Sequence, residues 1–97
     1  MEEKPRRSPR IQLAIPIRVR GISAQHKFFD EETATILVSK NGIMTQIRNL
    51  VDLEAEFHVV NLSNEISGTL RAFWVKTQVK DGFNQMGLEV IGVAGNI

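Results

Sequence analysis

The sequence predicts an all-β domain, a mainly antiparallel barrel or sandwich. Six segments have the alternation and the Val, Ile and Thr content of strands, the chain between them is short and polar, and no stretch carries a convincing amphipathic helix. Ninety-seven residues make one domain, near the lower end of what a single apolar core supports without disulfides or metal. Cysteine is absent, which excludes a disulfide framework and a thiolate metal site and favours a cytoplasmic location. No apolar run approaches membrane-spanning length. The start, Met1 to Pro5, is acidic and polar where a signal peptide is basic and then apolar, so a soluble protein without membrane insertion is expected.

Glu2 to Pro9 has no apolar periodicity and holds two prolines, so it is expected to be irregular or extended. Leu13 to Arg20 alternates, with Leu13, Ile15, Ile17 and Val19 on one face and Arg18 and Arg20 on the other, the pattern of a half-buried strand. Pro16 cannot donate a ladder hydrogen bond, which puts that part of the strand at a sheet edge or a bulge. Gly21 to Glu32 reads as polar connecting chain, with Phe28 and Phe29 dipping into or covering the core and His26 on the surface. Thr33 to Val38 and Ile43 to Ile47 are the next strands. Arg48 to Leu53 reads as a loop in which Leu50, Val51 and Leu53 pack.

Glu54 to Val60 alternates again, burying Ala55, Phe57 and Val59 and leaving Glu54, Glu56 and His58 in water. After a turn at Asn61 to Asn64, Glu65 to Gln78 is a long strand. Leu70, Ala72 and Trp74 fall on one of its faces and Arg71, Phe73 and Val75 on the other, so it is expected to be central or strongly curved. Lys80 to Asn84 is a turn. Met86, Leu88 and Val90 alternate with Gln85, Gly87 and Glu89 in the last strand.

Chain geometry and candidate chemistry meet at Thr33 to Gln46. Asn41-Gly42 between two strands is the signature of a tight hairpin turn, to which it supplies positive φ values. Ser39 entering that turn and Gly42 leaving it set a hydroxyl beside bare backbone N–H groups, an arrangement suited to a polar ligand; both are also ordinary turn residues. Thr33, Thr35, Leu37 and Ser39 share one face of their strand and Ala34, Ile36 and Val38 the other, so Leu37 is an apolar residue on a polar face. The net charge of +1 hides an asymmetry. Residues 1–20 hold Lys4, Arg6, Arg7, Arg10, Arg18 and Arg20 against Glu2 and Glu3 and sum to +4, whereas residues 21–97 sum to −3. Such a basic arm suits a bound anion, or is a solvated leader.

Taken in order and at this separation, the segments Arg6 to Arg10 (RRSPR) and Leu37 to Gly42 (LVSKNG), with the run Ile15 to Arg20 and the closing Asn84 to Val90, resemble the PilZ domain family over roughly Arg6 to Val90. The resemblance implies a six-stranded antiparallel β-barrel of the split-barrel type, formed by residues 13–97 behind a basic arm of residues 1–12. It implies that the ligand is the bacterial second messenger cyclic di-GMP. Arg6 and Arg10 of an Arg-x-x-x-Arg arm and Ser39 and Gly42 of an Asp/Asn-x-Ser-x-x-Gly turn would hold it, with Arg7 pointing away or making a third contact. Residues four apart in an extended arm point to one side, and guanidinium groups both grip phosphate or guanine bidentately and stack on rings. Leu37 departs from the family pattern. The family carries there an acceptor for a guanine edge, which leucine cannot supply.

Other readings stand beside this one. Leu37 also fits a degenerate PilZ-like domain that has lost the nucleotide and binds a protein through an exposed leucine. A nucleic-acid-binding barrel is disfavoured by the −3 body and by the lack of an aromatic stacking platform, with no tyrosine and one tryptophan. Both histidines stand alone and no nucleophile is paired with a base, so neither catalysis nor a metal nor a resident cofactor is expected. A receptor of this kind needs a downstream protein partner, and the sequence accommodates a monomer or a homodimer.

Overall fold

The computed structural model describes residues 10–93, whose regular elements are seven strands. These are β1 (Ile11–Gln12), β2 (Pro16–Ile22), β3 (Phe28–Val38), β4 (Gly42–Ile47), β5 (Glu56–Asn61), β6 (Ser67–Lys80) and β7 (Phe83–Val93). Six of them close an antiparallel barrel in the order β3, β2, β5, β6, β7, β4 and back to β3. The barrel is therefore the form the all-β pattern takes here. The extra strand β1 lies along β3 beyond the end of β2. No helix among the described residues is long and apolar enough to cross a membrane.

The inward rows of the strands meet in one core: Ile17 and Val19 of β2, Phe29 of β3, Ile47 of β4, Phe57 and Val59 of β5, Leu70 and Ala72 of β6, and Met86 and Leu88 of β7. Phe29 and Phe57 meet across it with ring centroids 5.8 Å apart and planes inclined by 57°, a tilted contact that their quadrupoles favour. Val51, from the loop after β4, is buried with them, whereas Leu50 and Leu53 are exposed, so one of the three expected packing residues packs.

Phe28 to Glu32 is not connecting chain but the first half of β3. Charge pairing across the ladder compensates for acids of poor strand propensity. Arg18 Nη2 lies 2.8 Å from Glu32 Oε2, Arg20 Nε lies 3.2 Å from Asp30 Oδ2, and Arg18 Nε lies 3.2 Å from Asp30 Oδ1. Strand alternation then buries Phe29 and leaves Phe28 66% exposed. The fifth strand starts later than its pattern suggests because Glu54 adopts φ 68°, a left-handed conformation incompatible with a strand.

Bulges set the phase of the outer surface. Opposite β4, strand β3 carries one extra residue between Thr35, which pairs with Thr45, and Leu37, which pairs with Met44. Opposite β7, strand β6 carries one extra residue between Ala72, paired with Leu88, and Trp74, paired with Gly87. A one-residue slip reverses the facing of every side chain beyond it. Thr35 therefore points inward and is buried, while Leu37 turns outward beside Met44. Ala72 is buried, Trp74 lies outside, and Val75 packs against the core. Strict alternation places Leu37 with the threonines and Trp74 with Leu70 and Ala72, and the bulges overturn both assignments.

Thr35 also ties down the root of the basic arm. Its Oγ1 accepts from the Ile15 N–H at 2.8 Å and donates to the Leu13 carbonyl, while its own N–H donates to the Ile15 carbonyl at 3.0 Å. These bonds bridge the break between β1 and β2, next to Pro16, which cannot donate and stands as the first residue of β2.

Candidate functional site

Arg10, Leu37, Ser39 and Gly42 line one cleft on the outside of the barrel, where β3, β4, β7 and β6 run side by side. Arg6 and Arg7 lie outside the described residues. Arg18 and Arg20 are engaged with Asp30 and Glu32, which leaves Arg10 as the described cation of the amino-terminal stretch that lines the cleft. The cleft holds about 200 Å³. Sites that enclose a drug-sized ligand run to roughly 300–1,000 Å³, so this one has room for only a single part of a larger molecule.

Strand register arranges the lining in two rows. Leu37, Met44, Gly87 and Trp74 are successive cross-strand neighbours in the first. Ser39, Gly42 and Glu89 form the second, and Arg71 continues that row beside Glu89, outside the cleft lining. Along β3, β4 and β7 the two rows are two residues apart, about 7 Å, and along β6 the bulge at Phe73 makes the step three residues.

The turn between β3 and β4 exists, but not in the conformation that Asn41-Gly42 suggests. Positive φ among the described residues is confined to His26, Glu54, Glu65, Asp81 and Gly82, and the left-handed pair of a tight hairpin is Asp81-Gly82 between β6 and β7. Ser39 closes its turn with an N–H bond to the Gly42 carbonyl at 2.9 Å, and its hydroxyl donates to the same oxygen at 3.3 Å. Gly42 is required by its neighbour instead: a Cβ there would stand 2.1 Å from the Leu88 carbonyl oxygen. The Val90 N–H donates to the Asn41 carbonyl at 2.9 Å, fastening the turn to β7.

Sequence reasoning misses the other wall of the cleft. Trp74 and Phe73 line it, and Phe73 is 52% exposed, so aromatic surface is present where none was expected. Its sequence signal is Gly87, a glycine inside a strand, which marks the close approach of another group. Glu89 is the further missed residue. Arg71 donates to Glu89 Oε2 from Nε at 3.2 Å and from Nη2 at 3.0 Å. Among the described residues no group of three His, Asp or Glu side chains converges as metal ligands would.

No family model matches this chain, and no curated protein does. Among solved structures it is similar to the Bacillus subtilis inhibitor of motility, MotI/DgrA, with a TM-score of 0.71 and 14% sequence identity, over 96% of this chain and 46% of that one. The chain thus spans about half the length of that protein. At this identity the likeness speaks for the fold: a barrel of the same architecture recurs in a solved protein.

Proposed function

We propose that this domain is a PilZ-like receptor for cyclic di-GMP, a cytoplasmic binding module rather than an enzyme, which acts on a downstream protein partner. The observation that supports it is the meeting of Arg10 with Ser39 and Gly42, members of two separate sequence motifs, in one cleft beside Trp74. Each part suits a piece of the ligand. The indole offers a face on which a purine stacks, worth about 1–3 kcal/mol per base, and Arg10 offers a guanidinium to a phosphodiester at about 1.5–3 kcal/mol per charged hydrogen bond. A cleft of this size takes one guanine. The reading leaves the phosphates to Arg10 and to Arg6 and Arg7 of the arm.

Leu37 supports a second reading. It is half-buried at the rim beside Met44, where the family pattern has a polar acceptor, and Phe73 adds exposed apolar surface nearby. A degenerate PilZ-like domain would use that surface to grip a protein. Calorimetric titration with cyclic di-GMP, with GMP and a single-stranded oligonucleotide as controls, tests both readings. Tight binding of cyclic di-GMP supports the receptor, and silence with all three supports the protein-binding domain. Salt-dependent binding of the oligonucleotide alone overturns both.

A further inference from the structure

We propose that Glu89 reads the base in the cleft, accepting the paired N–H groups of a guanine Watson–Crick edge. The inference rests on the cyclic di-GMP reading above and adds the residue that makes the site selective. Glu89 sits on β7 between Gly42 of β4 and Arg71 of β6. Gly42 has no side chain, so nothing on that flank competes for the carboxylate, which lines the cleft. On the other flank, Arg71 spends both of its hydrogen bonds on Oε2. Among the described residues Oε1 receives none, and the side chain is 42% exposed. The ion pair thus orients the carboxylate without saturating it.

Chemistry then selects the partner. An ionised carboxylate only accepts, and its two oxygens offer about four lone-pair positions, enough to keep Arg71 and take two further donors. Guanine presents N1–H and N2–H side by side. Adenine flanks an acceptor at N1 with the N6 amino group on one side and a C–H on the other, so it offers one donor group where guanine offers an adjacent pair. Trp74 stands in the next row, about 7 Å along the strand. A purine stacked on the indole therefore has its edge within reach of Glu89. Leu37, on the opposite wall, is the position where the family pattern has its acceptor, and in this chain the acceptor comes from β7 instead.

The test is a pair of calorimetric titrations, cyclic di-GMP and cyclic di-AMP, on wild type, Glu89→Gln and Glu89→Asp, with thermal melts of all three. Glu89→Asp keeps the charge and withdraws it by one methylene, so it reports even if Glu89→Gln disturbs the Arg71 contact and folding. We expect wild type to prefer cyclic di-GMP, and that preference to fall about tenfold or more in either variant, the size of one lost charged hydrogen bond. Variants that fold and keep the wild-type preference overturn the role of Glu89 while leaving the receptor reading intact. A wild type that binds neither nucleotide overturns both.

Discussion

The indole of Trp74 lies against the backbone of Gly87: a Cβ built on Gly87 would come within 2.1 Å of Trp74 Nε1 and 2.7 Å of its Cδ1 and Cε2. Three atoms of the five-membered ring crowd one hydrogen-sized space, so glycine at this point of β7 is what allows the aromatic wall of the cleft to exist. The bulge after Ala72 turns Trp74 to the outside, and Gly87 gives it somewhere to rest.

Gly87→Ala should therefore expel the ring while sparing the barrel. The atoms displaced belong to a side chain on the outer surface, so the fold should survive with a loss of about 1–3 kcal/mol. The chain has one tryptophan, and its emission should shift towards that of a solvated indole. Cyclic di-GMP affinity should fall about tenfold or more, the worth of one base stack. Unchanged emission and unchanged affinity together would remove Trp74 from the site.

Thr35→Val probes the tie between the arm and the barrel. Valine fills nearly the same volume but leaves the Ile15 N–H and the Leu13 carbonyl without the hydroxyl that serves both. Thr35 is only 4% exposed, so water replaces it poorly, and the loss should be about 1–3 kcal/mol, read as a lower urea midpoint at unchanged slope. Thr35→Ser should recover most of it. Cyclic di-GMP affinity should weaken in parallel, because Arg10 sits just ahead of the segment that Thr35 holds. A midpoint equal to wild type would show that the clasp contributes nothing to stability.

Arg10→Ala separates binding from folding. Arg10 is exposed and precedes the first strand, so the melting temperature of the empty protein should stay within about a degree or two. Removing its charge should weaken cyclic di-GMP binding by about 2–5 kcal/mol, the range for one truncated partner of a close charge pair. Calorimetry and thermal melting on the same preparation check both halves, and a variant that binds as tightly as wild type would release Arg10 from its role.

What the sequence made legible followed from period and propensity. Ile17, Val19, Phe57, Val59, Met86 and Leu88 alternate in the sequence and are buried in the barrel. What it hid followed from register. Leu37 looks out of phase only until the extra residue at Ile36 is known, and Trp74 looks like core only until the extra residue at Phe73 is known. A bulge leaves no mark in a single strand, because it is defined by the count on the neighbouring strand. The acids of β3 misled for a related reason: Asp30 and Glu32 read as loop until Arg18 and Arg20 stand opposite them. Within the site, Ser39 and Gly42 were visible as a turn motif, whereas Glu89 and Trp74 join it only through pairings of β7 with β4 and β6.

Leu37→Asp distinguishes the two readings of the cleft and tests the part assigned to Glu89. The substitution puts a carboxylate on the outward face of β3, where Leu37 is half-buried beside Met44, so folding should lose about 1 kcal/mol of apolar contact. A guanine edge has one adjacent pair of donors, and two carboxylates on opposite walls compete for it. The effect of Leu37→Asp should therefore depend on residue 89. In wild type the gain in cyclic di-GMP affinity should be small, whereas in Glu89→Gln the new acceptor should recover about tenfold, a coupling that a double-mutant cycle measures directly. If Leu37 is instead a contact for a protein partner or a second copy of the chain, the substitution buries an unpaired charge in that interface. Sedimentation should then show lost association while ligand titrations stay flat in both backgrounds. Flat titrations with intact association would leave neither reading an explanation for the leucine.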